Sequence, residues 1–236
     1  MRPIAVSFCS GALGLDHGLE RSGFKVVLAS EIDRDAVDTI HANRPNLPVV
    51  GDISRLNAAQ VRAAARIGDR DIDVVAAGPP CQSYSTAGKH LGLDDPRGKV
   101  LLKFVELALE LAPKYVVLEN VRGLMLDKAF DRILGMFRHG GYTCSWDLYN
   151  TCYFGVAQRR ERVIVIASRD GRVPHLSPTN SDRPEDKLPR WRTLRDVIGD
   201  MAGIELSAAA RNCTISPAKK GAVATHSGLT LPFGPL

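Results

Sequence analysis

The sequence predicts an α/β domain built on a doubly wound, mostly parallel sheet. Three observations carry that reading. Short apolar runs alternate with longer amphipathic ones through residues 1–168, several of the apolar runs lead into glycine- or proline-containing turns, and the alternation closes on two successive strand-like segments. A chain of 236 residues suffices for one sizeable domain, or for one domain and the start of a second. With 44% hydrophobic and 24% charged residues, its composition is that of a globular protein rather than a disordered one.

The elements follow in order. Residues 4–8 read as a buried strand, 15–21 as a helix after a glycine turn, 24–30 as a second strand, and 34–42 as a helix closed by Asn43-Arg44-Pro45. Residues 47–50 form a short strand, 58–67 an alanine-rich helix, and 72–77 a strand running into Gly78-Pro79-Pro80. The spacing predicts a helix over 98–111 with Pro113 as its stop, a strand over 115–118, and a helix over 129–138 ended by Gly140-Gly141. Residues 144–149 and 162–168 are the closing strands. Beyond them lie a Pro- and Arg-rich loop (169–192), one short helix (193–200) and a stretch (201–236) without sustained periodicity.

Several classes of function are excluded or disfavoured. No apolar run approaches the roughly 18–20 residues of a membrane span. The N-terminal apolar stretch breaks at Ser10-Gly11 without a small-residue cleavage site, so a secretory leader is not expected. Five scattered cysteines with no Cys-x-x-Cys pair, and six scattered histidines, point to a reduced cytoplasmic protein without a disulfide framework or a metal site. The formal charge of +5 is mild, but residues 155–195 hold ten basic side chains, nine of them Arg, against five acidic ones. A basic segment rich in Arg suits a polyanion, although a solvated charged face would give the same composition.

In doubly wound sheets ligands sit beyond the C-terminal ends of the strands, and the chemistry-bearing residues fall there. Ser10-Gly11-Ala12-Leu13-Gly14 follows the first strand and opens a helix, without the Gly-x-Gly-x-x-Gly spacing of a pyrophosphate cradle. Glu31 ends the second strand and suits the two hydroxyls of a ribose, while the adjacent Ile32 can cover one face of a flat base. Asp52, between Gly51 and Ile53, can accept from an exocyclic amine, although each acid alone is also an ordinary N-cap. Together the spacing reads as an adenosine site that needs no diphosphate, which fits S-adenosylmethionine better than a nicotinamide dinucleotide.

The fourth strand leads into Gly78-Pro79-Pro80-Cys81-Gln82. Two prolines stiffen the backbone and place Cys81 at the same edge, where a thiol near helix N-termini and arginines is nucleophilic. Leu118-Glu119-Asn120-Val121 ends the fifth strand there too, and a carboxyl beside a thiol and apolar surface can donate a hydrogen bond. In Gln158-Arg159-Arg160-Glu161-Arg162 alternation aims Gln158, Arg160 and Arg162 to one side, so that one arginine can fix the carboxyl and another contact a carbonyl oxygen or phosphate.

In this order, and with Gly92-Leu93-Asp94-Asp95-Pro96-Arg97-Gly98 before the long helix, the motifs resemble those of the cytosine-C5 DNA methyltransferases. The likeness covers about 1–168 and, more loosely, Trp191–Asp196. It implies a Rossmann-like S-adenosylmethionine-dependent fold and a DNA (cytosine-5-)-methyltransferase activity of the restriction-modification kind. By the resemblance Cys81 attacks C6 of a flipped-out cytosine, Glu119 hydrogen-bonds its N3 and exocyclic amine, and Arg162 contacts its O2, with Arg160 nearby. Asn120 would hold the active-site loop. Ser10, Gly11, Ala12 and Gly14 would line the methionine part of S-adenosylmethionine, Glu31 its ribose, Ile32 and Asp52 its adenine, and Pro80 and Val100 the remaining wall, with Ile53 a further cofactor-binding residue. Gln82, Ser85, Arg97 and Gln158 are the expected DNA contacts, and 82–99 a lid.

The chain departs from the family pattern at three places: Ser7-Phe8-Cys9 replaces the usual Asp-x-Phe, Leu13 stands for a glycine, and Ala157 for a proline. The resemblance divides the chain into a catalytic domain (1–168), a basic linker with a short helix (169–200) and the beginning of a target-recognition region (201–236). It implies double-stranded DNA as partner, a second polypeptide supplying target recognition and the C-terminal segment, no metal, no membrane, and a cytoplasmic, nucleoid-associated location. An RNA cytosine-C5 methyltransferase and an inactive cofactor-binding remnant are the alternatives.

Overall fold

The computed structural model describes residues 2–80 and 96–201. The chain divides into two units, Met1–Arg192 and Thr193–Leu236. The first contains a seven-stranded sheet of order β3-β2-β1-β4-β5-β7-β6, formed by β1 (Ile4–Phe8), β2 (Lys25–Ser30), β3 (Val49–Val50), β4 (Val74–Ala77), β5 (Tyr115–Asn120), β6 (Thr143–Asn150) and β7 (Glu161–Ser168). The pairs from β3 through β5 are parallel, whereas β7 runs antiparallel to both β5 and β6. The sheet is thus doubly wound and mostly parallel, closed by one reversed strand.

Alternation along β1 decides the layers. Ile4, Val6 and Phe8 join a core with α3 (Ala58–Ala65), α4 (Pro96–Leu111) and α5 (Lys128–His139), in which Phe8 meets Phe104 edge-on at 6.2 Å. Ala5 packs with Val26, Val74 and Ala76 against Leu15 and Leu19 of α1 (Gly14–Arg21), and Ile40 of α2 (Arg34–Asn43) packs with Ala29 and Leu13. Strands apolar on both faces are what helices on both sides require.

Element ends follow local chemistry. Asp33 caps α2 through Ala36 N, and Asn57 and Gln60 form a capping box on α3. That helix stops two residues before the predicted end because Arg66 turns left-handed at φ 54°. Pro48 removes a donor, so β3 begins at Val49 rather than residue 47. The long helix starts earlier than its apolar period, at Pro96, where the missing N–H is harmless. The 169–192 stretch, expected as plain loop, closes on itself: Ser181 N donates to Pro189 O at 2.9 Å, and Asn180 Nδ2 to Arg190 O at 2.9 Å.

In the second unit the described residues are 193–201, where α6 (Leu194–Ile198) is capped by Thr193 and Asp196. No helix among the described residues is long and apolar enough to cross a membrane.

Candidate active site

Strand order reverses between β1 and β4, and the cleft beyond their C-terminal ends is the site. After Phe8 the chain makes a strained turn in which Cys9 (φ 49°), Gly11 (φ 51°) and Leu13 (φ 67°) are all left-handed. A left-handed conformation costs a non-glycine residue about 1–2 kcal/mol. At Leu13 that cost is offset by burying the side chain with Ala29 and Ile40.

Glu31, at the end of β2, ties this turn to the next. Its Oε2 accepts from Gly11 N at 2.7 Å, and its Oε1 accepts from Ile32 N at 2.8 Å and Asp33 N at 2.9 Å. Three amides fix the carboxylate; both lone pairs of Oε1 are taken, and Oε2 keeps one for a ligand. Ile32 projects beside it, 72% exposed. Asp52 caps the following turn by accepting from Ser54 N at 2.8 Å, and that bond holds its carboxyl below the usual range.

These residues enclose a cleft of about 280 Å³ lined by Gly11, Glu31, Ile32, Asp52, Ile53, Pro80 and Val100, and also by Cys9, Ser30, Gly51 and Gly78. The first seven are sequence-predicted cofactor residues from five different segments. The last four were missed. Cys9 could have been found from the displacement of the aromatic: Phe8 is fully buried in the core, so Cys9 is the residue that reaches the cleft. Burial, with Glu31 and Asp52 nearby, pushes its thiol up to about 12.

Three predicted residues do not line the cleft. Ser10 turns inward, its Oγ 2.9 Å from Ser7 Oγ, while Ala12 and Gly14 are exposed. Ser7 Oγ in turn donates to Asp16 Oδ2 at 3.0 Å, and Asp16 Oδ1 is buried with no partner among the described residues. Burial raises the Asp16 carboxyl to about 6, partly opposed by the Ser7 hydrogen bond.

Glu119, near the end of β5, is the centre of a second cluster. Arg162 Nε lies 2.8 Å from its Oε1, and an Arg160 guanidinium nitrogen 3.9 Å from the same oxygen. Both arginines therefore face Glu119, as the alternation predicted. Gln158 is exposed, and its backbone carbonyl accepts from Thr151 Oγ1 at 2.6 Å. The Arg160 backbone is fixed by Asn150, whose Oδ1 accepts from Arg160 N at 3.1 Å, a role without a sequence signal.

The two clusters meet at Gly78. A side-chain carbon there would stand 3.3 Å from Glu119 Oε2 and 3.9 Å from Cys9 O, so glycine allows the close approach. Buried Asn120 donates from Nδ2 to Pro79 O at 3.2 Å and accepts from Val121 N at 2.9 Å, holding the loop that leads to Cys81. Cys81, Gln82 and Ser85, and the side chain of Arg97, lie outside the described residues.

A family model described as C-5 cytosine-specific DNA methylase matches residues 5–222. The chain belongs to this family. It is 36% identical to the Type II methyltransferase M.AquIA of Picosynechococcus sp. over 217 residues, covering 83% of this chain and 88% of that protein. It is 32% identical to M.NgoPII of Neisseria gonorrhoeae and 35% identical to M.XorII of Xanthomonas oryzae pv. oryzae, over 98% and 86% of this chain. It spans only 65% and 47% of those two relatives.

A crystal structure of a candidate DNA modification methyltransferase from an E. coli prophage superposes with TM-score 0.67 at 28% identity, covering 83% of this chain and 54% of the other. Spodoptera frugiperda DNMT2, at 22% identity and TM-score 0.59, shares the fold. Membership places the chain among the DNA cytosine-5 methyltransferases, whose Type II relatives are those of restriction-modification systems. The family generally uses S-adenosylmethionine. The cleft fits that group: it has a fixed carboxylate, an apolar face at Ile32, and open space beside Gly11 and Gly51 where a side chain would meet nothing.

Proposed function

We propose that the chain is the catalytic part of a DNA (cytosine-5-)-methyltransferase that methylates a cytosine turned out of the duplex, through a covalent bond to Cys81. The observation that carries the reading is the junction at Gly78. It sets the Glu119–Arg162–Arg160 cluster against the wall of the cleft, on the loop that continues to Cys81.

Glu31 accepts from a ribose hydroxyl of S-adenosylmethionine through the remaining lone pair of Oε2, Ile32 covers the adenine, Asp52 accepts from the exocyclic amine, and Ile53, Pro80 and Val100 complete the wall. When bound, the cofactor supplies an electrophilic methyl group. Glu119 pairs with N3 and the exocyclic amine of the cytosine. Arg162 contacts O2 and orients Glu119, while Arg160 adds positive charge beside them. The Cys81 thiolate forms a bond to C6, and the C5–C6 double-bond electrons make C5 nucleophilic toward the methyl group. Loss of the C5 proton to a base then restores the double bond and expels Cys81 as thiolate. Flipping costs a few kcal/mol of stacking and pairing. Gln82, Ser85, Arg97 and Gln158 contact the DNA around the vacated position, and the protein works in the cytoplasm on the nucleoid.

M.AquIA, matched along 88% of its length, is a relative of comparable extent with a Type II methyltransferase name. Target recognition supplied by a second polypeptide is part of this proposal. The test is transfer of labelled methyl from S-adenosylmethionine to duplex DNA and to tRNA, followed by nucleoside analysis, with and without the recognition polypeptide. Label in DNA 5-methylcytosine is expected. Label confined to tRNA, or attached to the exocyclic nitrogen, overturns the reading.

A further inference from the structure

We infer that Arg159 is a DNA-phosphate contact held in place by an aromatic platform of Trp191 and Tyr153, a role that rests on the DNA reading above. Within its motif Arg159 lies beside the residues that face Glu119, and it does something different. Its guanidinium carbon lies 5.0 Å from the centroid of the Trp191 ring. Trp191 meets Tyr153 edge-on at 5.2 Å with an interplanar angle of 81°.

The platform is built into the fold. The Tyr153 carbonyl accepts from Thr179 N and Asn180 N, both at 2.9 Å. Asn180 Nδ2 then holds Arg190 O, so the loop returns with Trp191 against Tyr153. Gly155, at φ +79°, is required here: a side-chain carbon would approach Asn180 Oδ1 to 3.1 Å. The indole Nε1 of Trp191 is buried and has no hydrogen-bond partner among the described residues. A buried unpaired donor is costly, so the tryptophan is placed for its ring face and not for its N–H.

Arg159 itself is exposed and, among the described residues, has no carboxylate within ion-pair distance. Its neighbours differ: Arg160 and Arg162 face Glu119, and Arg122 lies 3.4 Å from Glu161. A guanidinium over an indole loses little freedom on binding, and its edge N–H groups stay available as a planar fork. An unneutralised arginine so held, one residue from the Glu119 cluster, matches a backbone phosphate beside the flipped base.

The test is fluorescence-anisotropy titration of the full chain with a labelled mixed-sequence duplex across a NaCl series, alongside calorimetry with S-adenosylmethionine. Arg159→Ala is expected to weaken DNA binding about threefold to tenfold at low salt and to reduce the log–log salt slope by ~0.9, one phosphate contact. Arg159→Lys restores the slope but not the full affinity. Trp191→Leu weakens binding with the slope retained, because the charge survives and only its placement is lost, whereas Trp191→Phe stays near wild type. Cofactor affinity is unchanged in all four. If the wild type binds DNA and Arg159→Ala superimposes on it at every salt concentration, this inference alone is overturned. A wild type without salt-dependent DNA binding overturns the DNA reading as well.

Discussion

Glu31→Gln is the sharpest perturbation of the cofactor cleft, because the two side chains have nearly the same shape. Both carboxylate oxygens of Glu31 accept from backbone amides, Oε2 from Gly11 and Oε1 from Ile32 and Asp33. A glutamine has one carbonyl oxygen, so its NH₂ must face either the Gly11 N–H or the Ile32 and Asp33 pair, donor against donor. Hydrogen bonds to charged groups contribute about 1.5–3 kcal/mol, and part of this one is recovered from water because Glu31 is half exposed. A folding cost of about 1 kcal/mol follows, equivalent to a Tm decrease of about 2–4 °C. The bound ribose loses its charged acceptor in addition, which weakens S-adenosylmethionine by roughly tenfold to a hundredfold. Calorimetric titration beside thermal unfolding separates the two effects. A variant with lowered Tm and wild-type cofactor affinity would refute the role given to Glu31.

Three further predictions follow from the same contacts. Asp16 holds its proton in the folded state up to about pH 6 against a usual 3.8, so its contribution to stability is present below about pH 4 and lost as pH rises through 6. Urea unfolding across that range should show the wild type losing up to ~3 kcal/mol relative to Asp16→Asn, and a pH-independent difference would contradict it. Asn120→Ala removes the buried bonds to Pro79 and Val121; it should cost about 2 kcal/mol and lower the single-turnover methylation rate with cofactor affinity kept, and an unchanged rate would sink the loop-holding role. Gly140→Ala brings a carbon into collision with Leu109 Cδ2, so it should destabilise by about 1–3 kcal/mol without changing cofactor affinity; wild-type stability would show that Leu109 moves aside freely.

The parallel strands were legible because they are short apolar runs, several with a breaker after them, and a buried parallel strand needs no more than that. Helix and strand ends shifted where a single backbone property outweighs periodicity, as at Pro48, Arg66 and Pro96. At the site, residues at the C-terminal ends of strands were readable from position alone, which is why Glu31, Asp52 and Glu119 stand where their spacing put them. Side-chain direction within the tight first turn was not readable. Three left-handed residues rotate Ser10 inward and Cys9 outward, and no period in the sequence encodes that. The closed loop under Trp191 was hidden for a related reason: its hydrogen bonds join Ser181 to Pro189 and Asn180 to Arg190 in a segment with no repeating apolar pattern.

The central claim is tested most directly by incubating the chain, together with the recognition polypeptide, with S-adenosylmethionine and duplex DNA carrying 5-fluorocytosine at the target position. Fluorine cannot leave C5 as a proton does, so elimination is blocked after methyl transfer. A denaturation-resistant protein–DNA adduct that forms with the wild type and disappears in Cys81→Ala is the predicted result. Methyl transfer without an adduct, or an adduct that persists in Cys81→Ala, would contradict it.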